Sequence, residues 1–374
     1  MKLQINPRTR CQAGIALIIV MIVIVILATL AAGFAYSMKV ETKLARNSTF
    51  ESDMELLGRS GVELGRYVLG LQLGIPQEGA YAALNQKWAG GPGGTNELLM
   101  HVNLENNQLG PGMFSVRIVD MERKINLSAI REGNTVLLQS ALEKLGVDVT
   151  DQPVLIDSYL DWIDPDEQNR MNGAESKFYL RFNPASPYYS KNGPMDDVSE
   201  LLLIQGMTPE LYWGSRRTGI AFGQNARRAP RGNSAFLQGS PGSVSSGAGL
   251  VDLFTSISGA GMAVNVNTAS RDVLNVLPGM ESGMADGIIN TRSGPDHVDG
   301  TDDDTPFMTP GEIPSAVPGM DPQIFAASSR YFTTQSYIFE ITVDAAIGDF
   351  RRQFVALVHR RGRQDVPILF FHWK

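Results

Sequence analysis

The residues best suited to chemistry lie in one acidic stretch. Asp157, Asp161, Asp164, Asp166, Glu167 and Glu175 set six carboxylates close together in the chain. Carboxylate oxygens are hard ligands, and several of them around a loop containing Gly173 suit Ca2+. The candidate ligands are Asp161, Asp164, Asp166 and Glu175. Their spacing is not that of an EF-hand loop. The same residues also fit a solvated acidic loop in which Asp164 caps a turn before Pro165, so both readings stand. A second group, Asp296, Asp299, Asp302, Asp303 and Asp304, fits a flexible acidic loop as well as a cation site. Asp161 and Asp164 can be written as an acid pair, but nothing around them marks a substrate cleft. The four histidines, His101, His297, His359 and His372, fall in no metal or nucleophile motif. Walker, GxSxG and HExxH patterns are missing from the sequence. The chain is therefore read as no enzyme.

A second chemical feature is a processing site. Residues 1–14 are polar and basic, and Ile15–Tyr36 is almost wholly apolar. As a helix these residues span about 33 Å, enough for a bilayer core. The basic leader stays cytoplasmic and the rest crosses outward. Three readings compete. A secretory signal would be cut after the apolar run, near Ala28, Ala31, Ala32 or Gly33. A plain transmembrane anchor would not be cut. A cut between Gly14 and Ile15 would leave a chain that starts with a hydrophobic helix.

The residues beyond the apolar run favour the cut between Gly14 and Ile15. From Lys39 to Leu73 the chain has no Pro, and Pro76 ends the stretch. Leu44, Phe50, Met54, Leu57, Leu64, Tyr67, Val68 and Leu71 recur at a loose helical period. The result is one helix of roughly 55–60 residues, half embedded and half amphipathic. Such a stem resembles that of type IV pilins. In that family the fifth mature position carries Glu, which is thought to meet the amino terminus of a neighbouring subunit. Here that position is Ile19. A buried carboxylate without a partner is costly, and a subunit at the filament tip has no neighbour ahead of it.

Lack of this Glu, with unusual length, resembles type II secretion system protein K. Further blocks carry the likeness: Phe114–Asp120 followed by Lys124 to Leu127, Leu160–Ala174 followed by Glu175, Tyr188–Pro194, and Asp197–Leu202. Asn265–Ala269, Tyr331–Phe339 and Phe371–Trp373 continue it along nearly the whole chain. The resemblance implies a tip minor pseudopilin, non-catalytic, that initiates or caps a pseudopilus for secretion across the outer membrane. It implies calcium sites in a helical domain. It implies prepilin peptidase, two companion minor pseudopilins and the inner-membrane platform as partners, with exoproteins or the outer-membrane secretin as further contacts. The location would be the inner membrane, single-pass, with the C-terminal domain in the periplasm. The alternative is a minor pilin of a type IV pilus, for adhesion or DNA uptake; a membrane-anchored hydrolase is a third class.

The elements that position these residues are set by pattern. Alternation marks strands at Phe114–Asp120 and Tyr337–Val343, and Phe354–Val358 and Ile368–Phe371 are further candidates. Between them the chain reads as helices and loops. The fold class is α+β: a long N-terminal helix, a small antiparallel pilin-like sheet, and a large helical insertion. We divide it into leader 1–14, transmembrane helix 15–36, stem 37–75, sheet domain 76–125 with 329–374, first helical subdomain 126–222, flexible loop 223–249 and second helical subdomain 250–328. An internal repeat aligns Gly206, Gly279 and Gly319, each followed by Met and each fitting a helix–turn–helix of helix-hairpin-helix or SAM-like kind. Such turns can offer backbone N–H groups to phosphate. Net charge of -7 and thin basic support around Asn265–Arg292 favour a protein scaffold, with no nucleic acid expected. Loss of Lys2, Arg8 and Arg10 with the leader takes the charge to -10 and removes Cys11, the sole cysteine.

Overall fold

A computed structural model describes residues 9–76, 78–93, 97–182, 186–214, 247–281 and 283–374. Most of the loop expected at 223–249, and the first eight residues of the leader, lie outside the described residues. The first helix, α1, runs from Thr9 to Leu73, 65 residues. From Ile15 it is long and apolar enough to cross a membrane. Its residues from Ile15 to Ala45 are exposed along their whole length. From Phe50 onward the same helix packs, burying Met54, Leu57, Val68 and Leu69. Gly74 and Pro76 end it, since Pro offers no N–H to continue the ladder.

One face of α1 lies on a five-stranded antiparallel sheet of β1 (Asn107–Leu109), β2 (Gly112–Asp120), β7 (Ile338–Ile347), β8 (Phe350–His359) and β9 (Ile368–Trp373), in that order. Period-two burial in β2 alternates Phe114, Val116 and Ile118 against Met113, Ser115 and Arg117. Val343, Ile341 and Phe354 complete the core. Three glycines make the close approach possible: a Cβ at Gly58, Gly61 or Gly65 would run into Phe354, Val343 or Ile341.

The helical region leaves the sheet at Asp120 and returns at Ile338. These two positions share one end of the sheet, because Asp120 pairs with Phe339. The opposite end is fixed by the β7–β8 turn, where Phe350 meets Phe50 of α1 with ring centroids 5.3 Å apart. The apolar run continues from Phe50 toward the N-terminus. The helical region therefore sits at the end of the sheet farthest from that run. It has a core of its own, around Leu127, Leu138, Tyr159, Phe254, Val266 and Leu274. Within it, β3 (Ile125–Asn126) pairs with β4 (Phe254–Thr255), and β5 (Val264–Asn265) with β6 (Phe332–Thr333), both parallel.

A buried polar joint connects the two parts. Asp120 accepts hydrogen bonds from Asn265 (3.0 Å), Ser336 (2.7 Å) and Thr268 (2.5 Å), and from the Glu122 backbone. Glu122 accepts from the backbones of Gly259 (2.6 Å) and Ile338 (3.0 Å). Burial, and then the charge of Asp120, push the Glu122 carboxyl up to about 7. Arg360 is buried beside both, donates to the Ser336 carbonyl and lies over the Phe339 ring.

Candidate functional site

The acidic stretch folds around the end of one helix. Upstream of it, Glu97–Met100 forms the short α2 and Val136–Lys144 forms α3. α4 (Gln152–Ile163) starts with Pro153 at a position where the missing N–H is tolerated. Its Leu155, Tyr159, Leu160 and Trp162 enter the helical core. Tyr159 donates to the Leu127 carbonyl at 2.6 Å. This anchoring places Asp161 inward in the last turn, with its side chain fully buried. Asp164 comes next as the C-cap in extended geometry, as Pro165 requires of the residue before it. The chain then loops to α5 (Ser176–Phe182), whose first turn begins on the Glu175 carbonyl.

Asp161, Asp164 and Glu175 converge, each offering a carboxylate oxygen within 4.8 Å of the others. Asp166, the fourth candidate, is not in this group. It is exposed, and its Oδ1 accepts from the Gln168 backbone at 2.8 Å. The neighbouring acids hold the loop instead: Asp157 accepts from the backbone and side chain of Asn172, and Glu167 from Ser176 and Asn192. Gly173 fits because a Cβ there would collide with the Asp161 carboxylate.

Two residues at the site escaped the reading of the sequence. Arg170 donates to Asp161 Oδ1 at 2.6 Å, to Asp164 Oδ2, and to Glu132 Oε2 at 3.2 Å. Its backbone N–H also reaches the Asp161 carboxylate, at 3.1 Å. Burial works against the charge on Arg170, but its hydrogen bonds to Asp164 and Asp161 outweigh it and raise its pKa. Glu132 lies 38 residues upstream, beyond any local pattern. Arg170 was legible as a cation inside an acidic loop.

Glu175 is compensated least. It is completely buried, its Oε2 accepts from Ser190 at 2.8 Å, and its Oε1 has no partner among the described residues. Burial pushes its carboxyl up to about 7, against the lowering effect of Ser190. The donor set fits a hard divalent cation: three convergent carboxylates, two of them buried, one with an orphaned oxygen.

The second acidic group is arranged differently. Asp299 forms a two-pronged pair with Arg292, at 2.9 and 2.7 Å. Asp303 and Asp304 accept from the backbones of Asp296 and Gly300. Arg292 is therefore used internally, bonded also to the carbonyls of Val266 and Ala269. Gly206, Gly279 and Gly319 all take left-handed φ values, 81°, 81° and 86°. Each lies between two short helices.

The segment that contains this site is also the one that matches a known family. Residues 117–218 match the family model for type II secretion system protein K. These residues are similar to a domain of protein K. A protein K of Klebsiella pneumoniae is 32% identical over 111 residues, 27% of this chain and 33% of the relative. A protein K of Dickeya chrysanthemi is 38% identical over 68 residues, 18% of each. The matched stretches thus span a third of one relative's length and less than a fifth of the other's. A chain in the crystal structure of the GspK-GspI-GspJ complex from enterotoxigenic Escherichia coli superposes with a TM-score of 0.62. That likeness covers 88% of this chain and 99% of the other at 17% identity, and concerns the fold. The likeness in fold thus extends well beyond residues 117–218.

Proposed function

We propose that this protein is the tip minor pseudopilin of a type II secretion system, initiating or capping the pseudopilus. One observation carries the reading. The helical region, more than half of the described residues, stands on the sheet end farthest from the apolar run of α1. A filament of this kind packs its apolar helices together, and each new layer needs the space directly above the last. A bulky cap there leaves no room for a subunit ahead. Ile19, apolar where filament-body subunits carry Glu, supports the same place. In this reading prepilin peptidase cuts between Gly14 and Ile15. Ile15–Tyr36 then holds the chain in the inner membrane with its sheet and helical region in the periplasm, within reach of the inner-membrane platform, exoproteins and the secretin.

The structurally similar chain comes from a three-protein complex. We take two companion minor pseudopilins as the partners of this chain. Affinity isolation of the full-length protein from detergent-extracted membranes that also contain its pseudopilins tests this. Equimolar recovery with two companions is expected; recovery alone, or with type IV pilus subunits only, contradicts it.

The orphaned Glu175 oxygen favours a second, compatible reading. Asp161, Asp164 and Glu175 would hold one Ca2+. The ion would supply the positive charge that buried carboxylates need, fastening the end of α4 to the start of α5.

A further inference from the structure

We propose that Arg170 is a built-in competitor for that ion, so that metal binding at Asp161 and Asp164 is an exchange of cations. The proposal rests on the Ca2+ reading above. One guanidinium nitrogen, Nη1, bonds both Asp161 and Asp164, two of the three converging carboxylates. A metal ion and a guanidinium cannot both sit against these oxygens, because the two positive charges would then lie within contact distance of each other. The third carboxylate, Glu175, is beyond the bonds Arg170 makes and keeps its unpartnered oxygen. The arrangement is a cation site two-thirds filled by a side chain.

The local geometry allows the exchange without unfolding the loop. Arg170 keeps its backbone bond to the Asp161 carboxylate, so the loop remains seated when the side chain leaves. The side chain is 23% exposed and has a path to solvent. Glu132 stands along that path, 81% exposed and already bonded to Nη2, and can receive the displaced guanidinium. Arg170 thereby satisfies buried charge when the ion is missing and sets the concentration at which the ion enters.

Calorimetric titration of CaCl2 into the full-length protein in detergent micelles tests this, on the native chain, Arg170→Ala and Arg170→Lys, with melting curves in chelator and in Ca2+. Removing the competitor is expected to tighten Ca2+ binding by about tenfold or more in Arg170→Ala. Arg170→Lys, which keeps the charge but loses the fork, falls between. In chelator Arg170→Ala melts below the native protein, and Ca2+ restores it by a larger shift than the native chain shows. Equal or weaker binding in Arg170→Ala, with the native chain binding, overturns the exchange and leaves the metal reading intact. No heat of binding in any of the three chains overturns the metal reading and the exchange with it.

Discussion

Gly14→Val is expected to leave the protein at its full precursor mass, with residues 1–14 attached. A peptidase that cuts just before an apolar helix must bring its catalytic groups against the backbone at that bond, and Gly allows the closest approach. A β-branched side chain both fills that space and stiffens the chain. The consequence is larger than one bond. An uncut chain keeps Lys2, Arg8 and Arg10 just ahead of Ile15. Drawing three charges into a bundle of apolar helices is strongly unfavourable, so the uncut protein stays in the membrane and seeds no filament. Intact-mass spectrometry of membrane-extracted native and variant protein checks this. A native protein that retains residues 1–14 would contradict the processing assignment.

Asp120→Ala is expected to lower unfolding stability by roughly 3–5 kcal/mol, the range for removing one partner from a buried charge network. Four donors converge on this carboxylate, from Asn265, Thr268, Ser336 and the Glu122 backbone, and all but Asn265 lose their only strong acceptor among the described residues. Arg360 loses a neighbouring opposite charge while remaining buried. Because the joint connects the sheet to the helical region, the loss should emerge as a separate, earlier unfolding step of the helical region in urea. The same variant also has a pH signature. Glu122 has its carboxyl raised from 4.5 to about 7, so the folded protein holds a proton that the unfolded chain releases. Its contribution is present below about 4.5 and is lost as pH rises through about 7. Removing the Asp120 charge takes away one cause of the shift, so Asp120→Ala should show a shallower decline over that window. A stability change under about 0.5 kcal/mol, within the range of ordinary surface substitutions, would rule out a structural role for the joint.

The elements were largely legible because their causes are local. Pro76 marks the end of α1, and alternation in Phe114–Asp120 marks β2. The repeated Gly-Met pairs point to turns, and left-handed backbone is found at all three glycines. Where alternation failed, boundaries shifted: β8 begins at Phe350 rather than Phe354, because Arg351 and Arg352 are held by pairing with β7, not by burial of their own. β1, at three residues, is too short to carry a pattern.

The site was half legible. Asp161, Asp164 and Glu175 lie close in sequence and in space, since α4 ends and α5 begins within one loop. Asp166 shares that loop but sits where its carboxylate closes a turn onto Gln168, which proximity in sequence does not reveal. Glu132, and the joint of Asp120 with Asn265, Ser336 and Arg360, depend on pairings across 38 to 240 residues, which only the folded chain brings together.

The tip position can be read directly from where the protein sits on the filament. Pseudopili assembled in cells that make this chain together with its major subunit can be labelled with gold-conjugated antibody against the helical region. A tip subunit gives gold at one end of each filament and none along the shaft. Gold distributed along the shaft would show a body subunit and overturn the assignment.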